Sequence, residues 1–67
     1  MISLNGQPSQ IRAGETVAVV LAGLDITRDA RGVAVAVDGE VVPRAAWESF
    51  ALADDARVEV LTAMQGG

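Results

Sequence analysis

Two dipeptides constrain the fold of this chain more than any other feature: Asn5-Gly6 and Asp38-Gly39, each of which separates two short apolar segments. Asn, Asp and Gly tolerate the positive φ angles of a two-residue type I′ turn, the connection that best suits the twist of antiparallel strands. Each dipeptide therefore predicts a β-hairpin.

The strands of these hairpins follow from the positions of the turns. We expect the first hairpin to pair residues 1–4 with 7–11 and the second to pair residues 33–37 with 40–42. Pro8 has no N–H to donate to a neighbouring strand, so the strand that contains it belongs at an edge of the sheet.

Between the hairpins, apolar residues recur at helical spacing. Val17, Val20, Leu21 and Leu24 stand at i, i+3, i+4 and i+7, which predicts one buried helix face. Thr16 suits the N-cap position, and Gly23 lies where such a helix would end. The β-branched valines leave a buried strand as the alternative. We predict a helix.

The segment after the second hairpin contains both aromatic residues. Trp47 and Phe50 are three positions apart, which suits one face of a helical turn, and we expect both to cover one end of the core. Asp54-Asp55 then predicts a turn, and residues 57–63 predict a final strand.

Hairpin, helix, hairpin and closing strand define an α+β domain in which one main helix covers one face of a mixed sheet. This order is that of the β-grasp fold. Because 67 residues leave room for one small core, we expect a single domain over residues 1–63, with its closing strand beside the first. Residues 64–67 are expected to form a flexible C-terminal Gly-Gly tail.

The residue types that are missing exclude most kinds of active site. The sequence has no Cys, His or Tyr, and its five basic residues are all Arg. A thiol nucleophile, a Ser-His relay, an imidazole or thiolate metal site and a Schiff-base lysine are therefore excluded. Only carboxylate chemistry remains, so we expect a protein that is not an enzyme and that holds no metal or permanent cofactor.

Charge and hydropathy restrict the partners. The net charge of -4 at pH 7 disfavours nucleic acid, whose phosphates are bound mainly by clustered Lys and Arg. The longest apolar run, residues 17–24, is too short to span a membrane, and the start of the sequence has no basic leader. We expect a cytoplasmic protein that binds neither nucleic acid nor membranes.

The C-terminal Gly66-Gly67 is the most informative candidate site. An end without side chains, close behind a strand, suits a narrow active-site channel. Attack of its carboxylate on the α-phosphate of ATP, catalysed by another protein, would give an acyl-adenylate, from which a sulfur donor would displace AMP to leave a thiocarboxylate. The protein would then be a group carrier. The alternative is a chance ending on an inert interaction module.

The sequence resembles the ThiS family of sulfur carriers, which belong with ubiquitin in the β-grasp superfamily, along essentially its whole length. The resemblance rests on Ile2-Ser3-Leu4-Asn5-Gly6, on residues 32–43, on Trp47, and on residues 58–67 with their Gln65-Gly66-Gly67 ending. One turn departs from the pattern: the family usually has Asp-Gly-Asp where this chain has Asp54-Asp55-Ala56, which predicts a different backbone geometry there.

The resemblance implies that a ThiF-like adenylating enzyme activates Gly67 with ATP, and that a donor such as a cysteine desulfurase supplies sulfur for its thiocarboxylate. A ThiG-like thiazole synthase would then receive the sulfur for the thiazole ring of thiamine. Gly66 and Gln65 would be the tail residues required for activation. Two alternatives stay open: the same chemistry for molybdopterin or a secondary metabolite, and a ubiquitin-like modifier that forms isopeptides.

A partner-binding surface is predicted on the face of the sheet opposite the helix. In the last strand, alternation directs Val58 and Val60 inwards, so Glu59 and Leu61 point outwards.

In the strand over 33–37, the three valines are expected to face the core, which leaves Ala34 and Ala36 on a low outer face. We predict that these two residues, Leu61, and Met64 in the tail contact partners, although single exposed apolar residues are also common without a function.

The remaining charged residues give weaker candidates. Asp54 and Asp55, with Glu48 and Glu59 nearby in the sequence, suggest a carboxylate pair or a hard-cation site, but a solvated turn is the favoured interpretation. Residues 28 and 31, both Arg, would suit an acidic partner, although a solvated loop is again favoured.

Overall fold

The computed structural model of the chain describes residues 1–27 and 29–62. These residues form one sheet, one α-helix and a 3₁₀ turn. In chain order the elements are β1 (Ile2–Leu4), β2 (Gln7–Ser9), α1 (Val17–Gly23), β3 (Val33–Val37), β4 (Glu40–Val42), the 3₁₀ turn Arg44–Ala46 and β5 (Arg57–Thr62). The strand order across the sheet is β2-β1-β5-β3-β4. The predicted sequence of elements is confirmed.

Both predicted hairpins are present, with the turns at the predicted dipeptides. Asn5 and Gly6 have φ angles of 51° and 82°, and Asp38 and Gly39 have φ angles of 52° and 86°. Positive φ at both central residues defines the type I′ turn. The local chemistry of two dipeptides thus determines the connections of β1 to β2 and of β3 to β4.

The last strand, β5, lies at the centre of the sheet. It runs parallel to β1, with Val58 opposite Leu4, and antiparallel to β3, with Val60 opposite Val35. The closing strand therefore lies beside the first strand, as predicted. β2 is an edge strand, which agrees with the inability of Pro8 to donate a ladder hydrogen bond.

The return strand of the first hairpin is shorter than predicted. It ends at Ser9 rather than at Ile11. Ser9 lies opposite Ile2, the first residue of β1, so the residues that follow Ser9 have no β1 backbone with which to pair.

The helix α1 begins directly after Thr16, as predicted, but the Thr16 side chain makes no capping hydrogen bond. The Val17 N–H donates instead to the Phe50 carbonyl at 3.1 Å, and the Ala18 N–H donates to the Trp47 carbonyl at 2.9 Å. Amides in the first turn have no acceptor within the helix, so the segment around Trp47 caps α1 in place of a side chain.

At its other end α1 stops at Gly23, as predicted, but the residue that adopts the left-handed conformation is Asp25, at φ 60°. The Ile26 N–H then donates back to the Leu21 carbonyl at 2.9 Å, the bond typical of a Schellman motif. Because this turn redirects the chain, Leu24 is 42% exposed. The prediction that Leu24 shares the buried helix face is therefore wrong.

The core lies between α1 and one face of the sheet. Its buried apolar side chains are Ile2, Val17, Val20, Leu21, Val35, Val37, Val42, Trp47, Leu52, Ala56, Val58 and Val60. The indole Nε1–H of Trp47 donates to the Val42 carbonyl at 3.1 Å, so the polar atom of this large side chain is satisfied inside the core. Trp47 covers the core as predicted.

Phe50 does not cover the core, contrary to the prediction, because its side chain is 37% exposed. The chain leaves the helical turn at this residue: the Phe50 N–H donates to the Ala46 carbonyl, and the Phe50 carbonyl turns towards Val17 of α1. Leu52, which is 2% exposed, supplies the second buried side chain of this segment.

The turn before β5 contains a left-handed residue although it has no glycine. Asp55 adopts φ 63°, in the left-handed region that glycine favours, and the Asp55 N–H donates to the Asp54 side chain at 3.1 Å. The aspartate thus takes up a conformation that glycine favours, and the departure from the family's turn geometry stays a prediction. Within the described residues, no helix is long and apolar enough to cross a membrane.

Candidate functional site

The central strand presents opposite surfaces to the core and to solvent. Val58 and Val60 are 1% and 8% exposed, whereas Leu61 is 64% exposed and Glu59 is also exposed. This alternation confirms the predicted orientation of β5. Leu61 therefore lies on the face of the sheet opposite α1, which we call the outer face.

The neighbouring strand β3 places small residues beside Leu61. Ala34 lies opposite Leu61 and Ala36 lies opposite Glu59 in the antiparallel register. Ala34 is exposed and Ala36 is half-buried. Directly opposed residues of an antiparallel pair have Cβ atoms about 5 Å apart, so the structure brings Leu61, Ala34 and Ala36 together.

The inward side of β3 agrees with the prediction except at its first residue. Val35 and Val37 are buried, but Val33 is only half-buried. Val33 lies opposite Thr62 at the end of β5. The strand that carries Ala34 and Ala36 is therefore held in place by the buried side chains of Val35 and Val37.

Val41 joins this group, although the sequence analysis did not single it out. It lies in β4 opposite Ala36 and is 75% exposed. The exposure of Val41 follows from the two-residue turn at Asp38-Gly39. This turn sets Val37 opposite Glu40 and hence Ala36 opposite Val41, on the same face of the sheet. We call the four residues Ala34, Ala36, Val41 and Leu61 the outer patch.

Two charged side chains follow one another on the outer face of β5. Arg57 lies opposite Ser3 of β1, and Glu59 lies opposite Ala36. Neither side chain forms an ion pair or a hydrogen bond with any residue that the structure describes. The backbone N–H of Arg57 donates to the Asp38 carboxylate at 2.9 Å, which fixes the second hairpin turn beside the start of β5.

The candidate modified residue lies just beyond the described part of the chain. The strand β5 is described to Thr62, directly after Leu61. The predicted tail residues Met64, Gln65, Gly66 and Gly67 all lie outside the described residues. The outer patch is therefore next in sequence to the tail that carries the proposed chemistry.

The Asp54-Asp55 turn binds the amino terminus of the chain. The Met1 ammonium donates to a carboxylate oxygen of Asp54 at 2.9 Å and of Asp55 at 3.1 Å. These hydrogen bonds raise the pKa of the Met1 amine, and the same ammonium lowers the pKa of Asp54. All three groups are exposed, so the contact is a surface ion pair of small energetic weight.

The other charged candidates do not form a site. No group of three or more His, Cys, Asp or Glu side chains that could hold a metal ion occurs among residues 1–27 and 29–62. Arg31 is exposed, and residue 28 lies outside the described residues. Arg44 stacks on the Trp47 ring at 4.6 Å and donates to the Ala30 carbonyl, so it attaches the loop after α1 to the core.

The fold and the outer face define the class first: this is a ubiquitin-like β-grasp domain whose central strand leads directly into the C-terminal segment. The sequence model of the ThiS family matches residues 2–67. The chain therefore belongs to the ThiS family.

The solved structures that are similar to the chain include two from one organism. The crystal structure of the thiamine biosynthesis protein ThiS from Geobacter metallireducens is 32% identical, covers 98% of this chain and 97% of its own, and has a TM-score of 0.77. A solution NMR structure of a thiamine biosynthesis protein from the same organism is 34% identical, covers 98% of this chain and 86% of its own, and has a TM-score of 0.74. No curated protein is significantly similar in sequence.

Proposed function

We propose that this protein is a sulfur carrier for thiamine biosynthesis, and that Gly67 is the residue that carries the sulfur. The observation that supports the proposal most strongly is the family match, which extends through the Gly66-Gly67 ending to residue 67. The two similar structures are both named as thiamine biosynthesis proteins. The protein itself would be a co-substrate, and partner enzymes would supply the catalytic groups.

The proposed chemistry takes place at the terminal carboxylate. An α-carboxyl group is ionised at neutral pH and is a poor electrophile. A ThiF-like enzyme would let a carboxylate oxygen attack the α-phosphorus of ATP, with pyrophosphate as the leaving group. The outer sulfur of a persulfide from a donor such as a cysteine desulfurase then attacks the acyl carbon, and AMP departs. A thiol reductant cleaves the S–S bond of the resulting acyl disulfide, and a thiocarboxylate remains on Gly67.

The outer patch is the proposed docking surface for these partners. Its exposed Leu61 is one residue away from the end of β5, so a partner that binds the patch also holds the start of the tail. The five residues 63–67 extend for at most about 17 Å. A partner that binds Leu61, with Met64 as a further contact, must therefore place its adenylation site within that distance of the end of β5.

Intact-mass measurement tests the proposal. The protein is incubated with ATP, Mg²⁺, the ThiF-like enzyme of the same organism and sodium sulfide, with a chain that lacks Gly67 as the matched control. The carrier function is supported if the full chain exchanges one oxygen atom for one sulfur atom and the chain that lacks Gly67 does not. A series of larger protein adducts would indicate an isopeptide-forming modifier, and an unchanged mass would indicate an inert module.

The pathway needs a second measurement. The thiocarboxylate form is supplied as the sulfur source to a ThiG-like thiazole synthase with its other substrates, and thiazole formation is followed by chromatography. Thiazole formation supports the thiamine assignment. Sulfur transfer to a molybdopterin precursor instead would assign the same chemistry to the alternative pathway.

A further inference from the structure

Three outward side chains of β5 have an order of charges that the proposed function does not by itself explain. Arg57, Glu59 and Leu61 alternate with the buried Val58 and Val60, so all three lie on the outer face. Residues two positions apart in a strand are separated by about 7 Å. A positive charge, a negative charge and an apolar side chain thus follow one another towards the tail.

The flanking strands add no charge to the middle of this face, which is bordered by Asp38 of the second hairpin turn, whose carboxylate accepts the Arg57 backbone N–H at 2.9 Å. The outward residues of the flanking strands are Ser3 in β1 and Ala34 and Ala36 in β3, none of which is charged. Shallow grooves reach Arg57 and Glu59 from both sides of β5, one from the first hairpin turn and one from the second. A partner can therefore approach both charges directly.

Opposite charges in a line distinguish the two directions in which a partner can lie along the strand. A surface with an acidic group opposite Arg57, a basic group opposite Glu59 and an apolar hollow for Leu61 is complementary in one direction only. Rotation of the partner by half a turn places like charges against each other, which is unfavourable when the contact is close.

We propose that Arg57 and Glu59 orient the adenylating enzyme on the outer face, a proposal that rests on the proposed carrier function. The occupant of this face is a nucleotide-dependent adenylating enzyme whose docking surface has the acidic, basic and apolar order just described. Correct orientation matters because the tail after Thr62 reaches only about 17 Å and must point at the nucleotide. Leu61 anchors the complex, and the two charges select its direction.

A charge swap tests this proposal without changing the net charge. The double variant Arg57→Glu with Glu59→Arg is compared with the natural chain in ATP-pyrophosphate exchange catalysed by the ThiF-like enzyme of the same organism. We expect at least a tenfold lower exchange rate for the swap. We expect a loss of about threefold for Arg57→Gln or for Glu59→Gln alone, with a weaker dependence on salt.

The matched control is the swap of Arg12 and Glu15, which lie before α1 and not on the outer face. This control should exchange at the natural rate, and thermal melts should show that all variants fold. A natural rate for the Arg57 and Glu59 swap would overturn the proposed orientation while leaving the carrier function intact. Absence of exchange with the natural chain would instead reject the carrier function, and the orientation with it.

Discussion

The side chain of Asn5 accepts a hydrogen bond from the backbone N–H of Val60 at 2.8 Å, across 55 positions in the sequence. The Asn5 N–H in turn donates to the Val58 carbonyl at 2.8 Å. β1 ends at Leu4, so Asn5 extends its pairing with β5 while adopting the positive φ of the hairpin turn. One residue thus forms the turn and attaches it to the central strand.

Substitutions at Asn5 should separate these two roles. Asn5→Gly keeps the turn but removes the acceptor, so it should lower the free energy of unfolding by about 1 kcal/mol. Asn5→Ala also places an alanine in the left-handed region and should cost about 2 kcal/mol in total. Urea denaturation followed by Trp47 fluorescence measures both values. Equal losses for the two variants would contradict a separate contribution from the left-handed backbone, and no loss for Asn5→Gly would contradict a contribution from the hydrogen bond.

At Asp55, substitution by glycine should not destabilise the protein, in contrast to Asn5. Its φ of 63° favours glycine, so Asp55→Gly should leave the free energy of unfolding unchanged or raise it by up to about 1 kcal/mol. Asp55→Ala should lower it by about 1 kcal/mol because alanine is strained at this angle. Denaturation in urea gives both values. A clear loss for the glycine variant would show that the carboxylate matters more than the backbone.

Leu52 and Phe50 form a matched pair of large apolar residues with different burial. Leu52→Ala should destabilise the protein by about 3 kcal/mol because it leaves a cavity in the core. Phe50→Ala removes a partly exposed ring and should cost less than about 1 kcal/mol. Thermal and chemical denaturation of the two variants provide the comparison. A larger loss for Phe50 would mean that its ring, and not only its carbonyl, supports α1.

The contact of the Met1 amine with Asp54 predicts a small pH dependence of stability. The folded state raises the pKa of the amine above its ordinary value of 8.0, so this contribution is lost as the pH rises through the raised pKa. It lowers the pKa of Asp54 below its ordinary value of 3.8, so that contribution is lost as the pH falls through the lowered pKa. The contact therefore stabilises the fold mainly between about pH 4 and pH 8.

The difference in melting temperature between the natural chain and Asp54→Asn should be largest in this pH window and should shrink on both sides and at high salt. The measurement uses protein that mass spectrometry shows to retain Met1 with an unmodified amine. Acetylation of that amine is the control and should remove the dependence on the basic side. A difference that is constant from pH 3 to pH 10 would exclude the ion pair as its origin.

Deletion of Gly67 should separate activation from folding. The last strand ends at Thr62 and the buried side chains extend no further than Val60 among the described residues. We therefore expect an unchanged melting temperature but no adenylation, because the carboxylate is moved back by one residue. ATP-pyrophosphate exchange and a thermal melt measure the two properties. Full exchange by the shortened chain would reject Gly67 as the modified residue.

The parts of the fold that were predictable from sequence are those that local chemistry determines. Asn5-Gly6 and Asp38-Gly39 require φ angles that few other dipeptides accept, so both hairpins could be placed before the structure was known. The register of the second hairpin follows as well, and with it the exposure of Val41 beside Ala36.

Two errors concern the ends of α1, where one depends on the turn that follows the helix and the other on a distant segment. Helical spacing could not reveal that the turn at Asp25 exposes Leu24. Similarly, the capping rule for Thr16 could not anticipate that carbonyls of a segment about 30 residues away would accept the helix amides. Tertiary contacts thus replace the side-chain cap at the N-terminal end of α1, whereas a local Schellman motif closes its C-terminal end.

The central position of β5 has a consequence for the synthesis of the chain. The first four strands to leave the ribosome belong to two different hairpins, β1 with β2 and then β3 with β4, and β5 is the strand that joins the hairpins into one sheet. The nascent protein therefore cannot complete its core until Val58 and Val60 of β5 have been added. A prematurely terminated product would remain unfolded and open to proteolysis, so folding itself selects for chains that are long enough to reach the tail.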